Sequence, residues 1–156
     1  MYISKYWSVT EWDCWRRSSN PYAWDNEYGK LCTNDARTEK LFKILDSLRD
    51  CDGGWVVNTT KYHTEYGTDF KSGYRTVEDG VNAACGGASG SWHTYGCAAD
   101  IHNVNYDYSA EQIKEQILTA ARWNGINPEE LDIGCYSSGW CHVDTGGDNE
   151  RWYFND

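Results

Sequence analysis

The sequence is short of several things, and each absence removes a class of function. No apolar run approaches the ~20 residues that cross a bilayer, so no membrane span is expected. The first residues, Met1-Tyr2-Ile3-Ser4-Lys5-Tyr6-Trp7, hold no apolar stretch of a secretion signal. Either a signal has been removed or the protein leaves its cell by another way. Positive charge is scarce: 14 Lys and Arg stand against 24 Asp and Glu, a net charge of -10. Nucleic acid needs cations to replace phosphate counterions, and anionic membranes attract basic segments. Neither partner is expected. There is no internal repeat, linker or low-complexity tract, no G-x-S-x-G elbow and no phosphate loop. No two of the seven cysteines form a C-x-x-C pair, which argues against a cysteine zinc knuckle. Histidine is limited to His63, His93, His102 and His142.

What is present suits one compact domain of 156 residues. Nine Trp and twelve Tyr serve as core or as the lining of a groove for a polar ligand. The cysteine density points to an oxidising compartment, with the odd count leaving one thiol unpaired. Cys14 with Cys32, and Cys135 with Cys141 across a hairpin, are the candidate disulfides. Reduced structural thiols are the alternative.

Residues 1–34 read as a loop-rich extension with one short helix. Leu41, Ile44, Leu45 and Leu48 recur at helical spacing, and Asp52-Gly53-Gly54 breaks that helix. Trp55-Val56-Val57 opens an extended stretch that continues weakly to Phe70, and 77–84 suits a short helix. Ala98 to Ile101 reads as a buried strand. Ser109 and Gln112 form a capping box for a helix carrying Ile113, Ile117, Ala120 and Ala121, which Gly125 ends. Leu131 to Tyr136 and Trp140 to Thr145 read as two strands joined by Ser137-Ser138-Gly139. Arg151 to Phe154 is expected to pack on the sheet. The irregular mixture predicts an α+β domain: a small, mostly antiparallel sheet with helices packed on it.

A mononuclear zinc enzyme needs three protein ligands and an open fourth position. Two histidines and a carboxylate would supply the set. His93 and Asp100 lie seven positions apart, across Gly96 and the small pair Ala98-Ala99, so a turn at Gly96 can bring them to one point. His142 on the last of the two hairpin strands can close the site. The wording is fuller than three residues. Ser91 to Ile101 fits S-x-H-x-x-G-x-A-x-D, preceded by Ser72-Gly73-Tyr74-Arg75-Thr76, Asn82 and Gly86-Gly87-Ala88, and followed by Trp140-Cys141-His142-Val143-Asp144. In these motifs, over residues of about 38 to 152, the chain resembles the zinc D-Ala-D-Ala carboxypeptidases and phage L-alanyl-D-glutamate endopeptidases, which share their core with the hedgehog signalling domain.

The resemblance implies a single zinc peptidase domain over 1–156 with a hedgehog-like core. It implies Zn2+ held by His93, Asp100 and His142, and Arg75 and Ser91 against the substrate. A guanidinium suits an oxyanion or carboxylate; a structural salt bridge is the other role for Arg75, and a turn cap for Ser91. The implied reaction is metal-assisted hydrolysis of peptide bonds in peptidoglycan stem peptides, of the carboxypeptidase or the endopeptidase type. The implied setting is extracellular, periplasmic or the cell wall, including a phage protein released at lysis, and a monomer is expected. Better-known members place an acid three residues before the last His, or a His two before it. Here those positions are Gly139 and Trp140, and neither accepts a proton. Asp144, on the same strand face as His142, is the substitute base or a support for His142. His102 shares a face with Asp100, and Glu65, Asp69 and Glu78 lie near the SGYRT segment in sequence. A non-catalytic zinc-binding structural or wall-binding domain of the same fold is the alternative to an enzyme. Cys97 and Cys141 adjoin ligands but point away from the site.

Overall fold

A computed structural model describes residues 3–12, 36–63, 68–75, 81–88 and 90–156. The proposed Cys14–Cys32 pairing, and most of the loop-rich extension, lie outside the described residues. Helix α1 spans Val9–Trp12 and α2 spans Ala36–Cys51. The apolar stripe of α2 is buried, with Leu41, Ile44 and Leu45 fully enclosed. The stretch after Gly54 is not one extended run. It divides into β1 (Trp55–Val57), β2 (Thr59–His63) and β3 (Thr68–Lys71), and β2 and β3 pair as a separate antiparallel ribbon. A short helix α3 (Val81–Ala84) and a 3₁₀ turn (Trp92–Tyr95) lead into β4 (Ala98–Asn103).

Helix α4 (Ala110–Trp123) begins with the capping box of Ser109 and Gln112, and Gly125 follows it at a positive φ of 68°. A second 3₁₀ turn (Pro128–Glu130) precedes β5 (Asp132–Tyr136), β6 (Trp140–Asp144) and β7 (Arg151–Phe154). The main sheet has the order β1-β4-β6-β5-β7. Its pairs are antiparallel except the last: β7 runs parallel to β5. The α+β class is as expected, with a mixed sheet. Arg151–Phe154 does not lie on the sheet; it extends it by a strand.

The two faces of the sheet differ because strand side chains alternate. Ala99, Ile101, Ile133, Cys135, Cys141 and Val143 face the helices and join Ile113, Ile117 and Leu45 in one core. The opposite face carries Asp100, Gly134, Tyr136, Trp140, His142 and Asp144. Cys135 and Cys141 are directly paired across the hairpin, with their sulfurs 3.1 Å apart. They are free thiols, as is Cys51. The expected disulfide is therefore not formed: facing positions in the register are present, the bond is not. No helix among the described residues is long and apolar enough to cross a membrane.

Candidate metal centre

Three local structures bring the three proposed ligands together. The first is the 3₁₀ turn Trp92–Tyr95. Ser91 caps it, its hydroxyl oxygen accepting the His93 N–H at 3.3 Å. Gly96 ends it at φ 73°, where a side chain would be strained, and Thr38 donates to the Gly96 carbonyl at 2.8 Å. The chain thus turns at Gly96, as its spacing suggests, and runs directly into β4. The second is β4 itself, which points Asp100 to the same side. The third is the β4–β6 ladder, which sets His142 opposite Asp100.

The resulting cluster is tight. The carboxylate Oδ1 of Asp100 lies 3.2 Å from His93 Nε2 and 2.8 Å from His142 Nδ1. One donor atom from each residue falls within 4.8 Å of the others. Each imidazole is held from behind. His93 Nδ1–H donates to the Gly73 carbonyl at 2.6 Å, which leaves Nε2 unprotonated toward Asp100. His142 Nε2–H donates to Asp144 Oδ2 at 2.7 Å, which aims Nδ1 at the cluster. Two imidazoles and one carboxylate, with both rings back-bonded, match what a divalent zinc-type ion requires. The residues present fit a metal.

The charges fit too. Burial opposes ionisation of Asp100, but its imidazole neighbours His93 and His142 outweigh it and hold the carboxyl far below its ordinary range. Burial lowers the pKa of His93 and favours its neutral form. Burial also disfavours charge on His142, yet hydrogen bonds to Asp100 and Asp144 raise its pKa to about 9. Without metal, His142 therefore carries a second ring proton near neutral pH, on the nitrogen that faces Asp100. A cation would replace it.

Arg75 borders the cluster. Its backbone N–H donates to the His93 carbonyl at 3.0 Å, tying the SGYR segment to the turn. Its Nη2 donates to Ser72 Oγ at 2.9 Å and to Asp100 Oδ2 at 3.4 Å. Its buried Nε–H has no acceptor among the described residues.

A family model described as Peptidase M15 matches residues 32–144, the span that contains the turn, β4 and the last ligand strand. The chain belongs to the peptidase M15 family. No curated protein and no solved structure matches it. Membership makes it a metallopeptidase domain of a zinc-dependent family, and the His-Asp-His group is where this M15 chain can bind the ion.

The remaining sequence candidates fall around the cluster in different ways. Asp144 is buried behind His142; its second oxygen accepts the Gly146 N–H at 2.9 Å. His102 shares the metal face but bonds elsewhere, its Nδ1 2.6 Å from Asn58 Oδ1 and its ring stacked on Tyr106 at 4.6 Å. Trp140 stacks on Tyr136 at 3.8 Å. Glu65, Glu78 and the side chain of Asp69 lie outside the described residues. Two features were not read from the sequence. Trp152 leans over Gly134, opposite His142, and its ring comes to 5.4 Å from the imidazole. Asp132 lies buried across from Asp144. The Cys135/Cys141 pairing implies both Gly134/His142 and Asp132/Asp144, so the hairpin register was the available signal.

Proposed function

We propose that this M15 domain hydrolyses peptide bonds in the stem peptides of bacterial peptidoglycan, with zinc held by His93, Asp100 and His142. The observation that carries the reading is the buried Arg75 beside that group, with an N–H that no described residue accepts. An unpaired buried donor costs about 1–3 kcal/mol, and a substrate carbonyl or carboxylate oxygen would satisfy it. A zinc ion bound there supplies Lewis acidity and a water of lowered pKa. The protein does the rest. Gly73 and Asp144 hold the two imidazoles in their ligating tautomers, and Arg75 orients the acyl oxygen. Ser91 accepts the His93 N–H and keeps its own O–H to donate to substrate. Both oxygens of Asp144 are engaged, so it supports His142. The site of action is the cell wall, outside the cytoplasmic membrane.

The test is direct. Zinc-loaded protein is incubated with peptidoglycan, and new amino groups and free D-Ala are measured with and without chelator. D-Ala release marks a carboxypeptidase, and new internal amino groups mark an endopeptidase. Full zinc occupancy without cleavage across several wall types would sink the enzyme reading. One observation favours a second reading, a non-catalytic zinc-binding wall domain. The two positions where relatives carry an acid or a histidine before the last ligand are Gly139 and Trp140.

A further inference from the structure

We propose that the row of aromatic rings beside the metal centre is a subsite for the neutral N-acetylated sugars of the glycan strand that carries the stem peptide; this rests on the wall-substrate reading above. Trp140 of β6, Tyr136 of β5 and Phe154 of β7 are neighbours across three strands. The Trp140 and Tyr136 rings stack with centroids 3.8 Å apart, and those of Tyr136 and Phe154 with centroids 5.3 Å apart. Two residues along the same strands, the facing pair is Gly134 and His142, so the row begins ~7 Å from a metal ligand. Trp152 spans that interval. Its ring lies 5.4 Å from His142, and its Nε1–H donates to the Tyr136 hydroxyl at 3.5 Å. The aromatic surface is thus continuous with the metal centre.

The chemistry of the row selects its occupant. Exposed apolar surface beside a site marks binding. Phe154 is 50% exposed on the edge strand, and its one described ring neighbour is Tyr136, so its outer side is open. Tyr136, with a ring on either side, has spent its faces on packing. The metal-face positions of β5, β6 and β7 hold no Lys or Arg. Nothing there attracts the carboxylates of a stem peptide, which suit Arg75. An N-acetylated sugar is neutral, with a face of C–H groups for an aromatic ring and hydroxyls at its rim. The Tyr136 hydroxyl offers those hydroxyls a partner. So does the Asp156 carboxylate, which accepts from Ser137 and Ser138 at the hairpin end of the row. The stem peptide is amide-linked to such a sugar, so a peptide seated at the metal brings the sugar toward the row. Cross-strand aromatic pairs also stabilise a sheet, which would be a merely structural role, so the test must separate the two.

The first readout is calorimetric titration of zinc-loaded protein with the tetramer of N-acetylglucosamine, which does not depend on hydrolysis. Wild type should bind it saturably. Phe154→Leu keeps an apolar side chain at an exposed position but removes the ring face, and should weaken binding by about tenfold. Phe154→Tyr keeps the ring and should restore it. If Phe154→Leu does not fold, Phe154→Gln carries the same test. The second readout is kcat/KM for a stem peptide still linked to its sugars, against the same peptide without them. The loss in Phe154→Leu should be about tenfold greater on the sugar-linked substrate. Wild type that shows no saturable binding of the tetramer would overturn the proposal, and so would a folded Phe154→Leu that binds it as wild type does. Equal losses on the two substrates would also overturn it, by assigning the row to the peptide or to the sheet. A dimer in light scattering that Phe154→Leu disperses would overturn it too, by giving the row to a second copy. Protein that binds the tetramer but cleaves neither substrate would support the subsite and sink the peptidase reading instead.

Discussion

Removing the Arg75 side chain should abolish most catalysis while leaving the metal in place. The side chain is 9% exposed and sits against Asp100 Oδ2 at 3.4 Å and Ser72 Oγ at 2.9 Å. Its Nε–H is unclaimed by the described residues. A donor of this kind aimed at a developing oxyanion is worth about 2.7–4 kcal/mol, or about 10²–10³ in kcat. Arg75→Ala should lose that factor. Arg75→Lys keeps the charge but not the forked donors, and should recover only part of it. Zinc content should change little, because the low pKa of Asp100 comes chiefly from His93 and His142. The assay pairs the rate of amino-group release from peptidoglycan with zinc analysis of the same samples. An Arg75→Ala variant within tenfold of the wild-type rate at equal zinc would refute the substrate-binding argument. Zinc lost in step with the rate would make Arg75 a support for Asp100 instead.

Three further outcomes follow from the same geometry. His93→Ala and His142→Ala should each lose bound zinc on dialysis, measured by elemental analysis; if both keep full zinc, the ligand set is wrong. Metal uptake should release about one proton near pH 7, because His142 is protonated below its pKa of about 9 and must give up that proton to bind. Apparent affinity should therefore rise about tenfold per pH unit below that value and flatten above it, which calorimetry in buffers of different ionisation heat can check. Gly134→Ala would place a methyl inside the Trp152 indole. Overpacking of this kind costs about 1–3 kcal/mol, so the melting temperature should fall and tryptophan emission shift; an unchanged melt would show that Trp152 moves aside freely.

Much of the site was legible because its spacing is local. Gly96 needs a left-handed turn, and seven positions carry the chain from His93 through that turn to Asp100. Ser109 and Gln112 announced α4, and the stripe of Leu41, Ile44, Leu45 and Leu48 announced α2. What was not legible depends on distant pairing. Residues 55–70 alternate only weakly, and nothing local says that β2 leaves the main sheet to pair with β3. Arg151–Phe154 becomes a strand because β5 offers it a parallel edge, with Trp152 filling the space over Gly134. The Gly73 carbonyl that orients His93 is a backbone group, and no side-chain pattern reports it. Asp132 reads as an ordinary strand-end acid until the register faces it with Asp144.

The destination of the proton taken from the attacking water is the remaining chemical question, and the metal face narrows it. Gly139 sits in a turn at φ 99° and has no side chain to offer. Trp140 presents ring carbon, stacked on Tyr136. Asp144 has its two oxygens on His142 and Gly146, and its side chain is 3% exposed, so no free lone pair faces the substrate. His102 differs from all three. It follows Asp100 by two residues on the same face of β4, about 7 Å along the strand. One step beyond the paired residues of the β4–β6 ladder, it falls toward Trp140, one of the two positions where relatives carry the acceptor. Its Nδ1–H donates to Asn58 and its ring is set by Tyr106, which leaves Nε2 with a lone pair. Loss of a positioned base costs about 10²–10⁴ in rate. His102→Gln should show that loss at unchanged zinc, whereas Asp144→Asn should act first on metal affinity. A His102→Gln variant that keeps more than a tenth of the rate would remove His102, and Glu65 and Glu78 would become the residues to replace next.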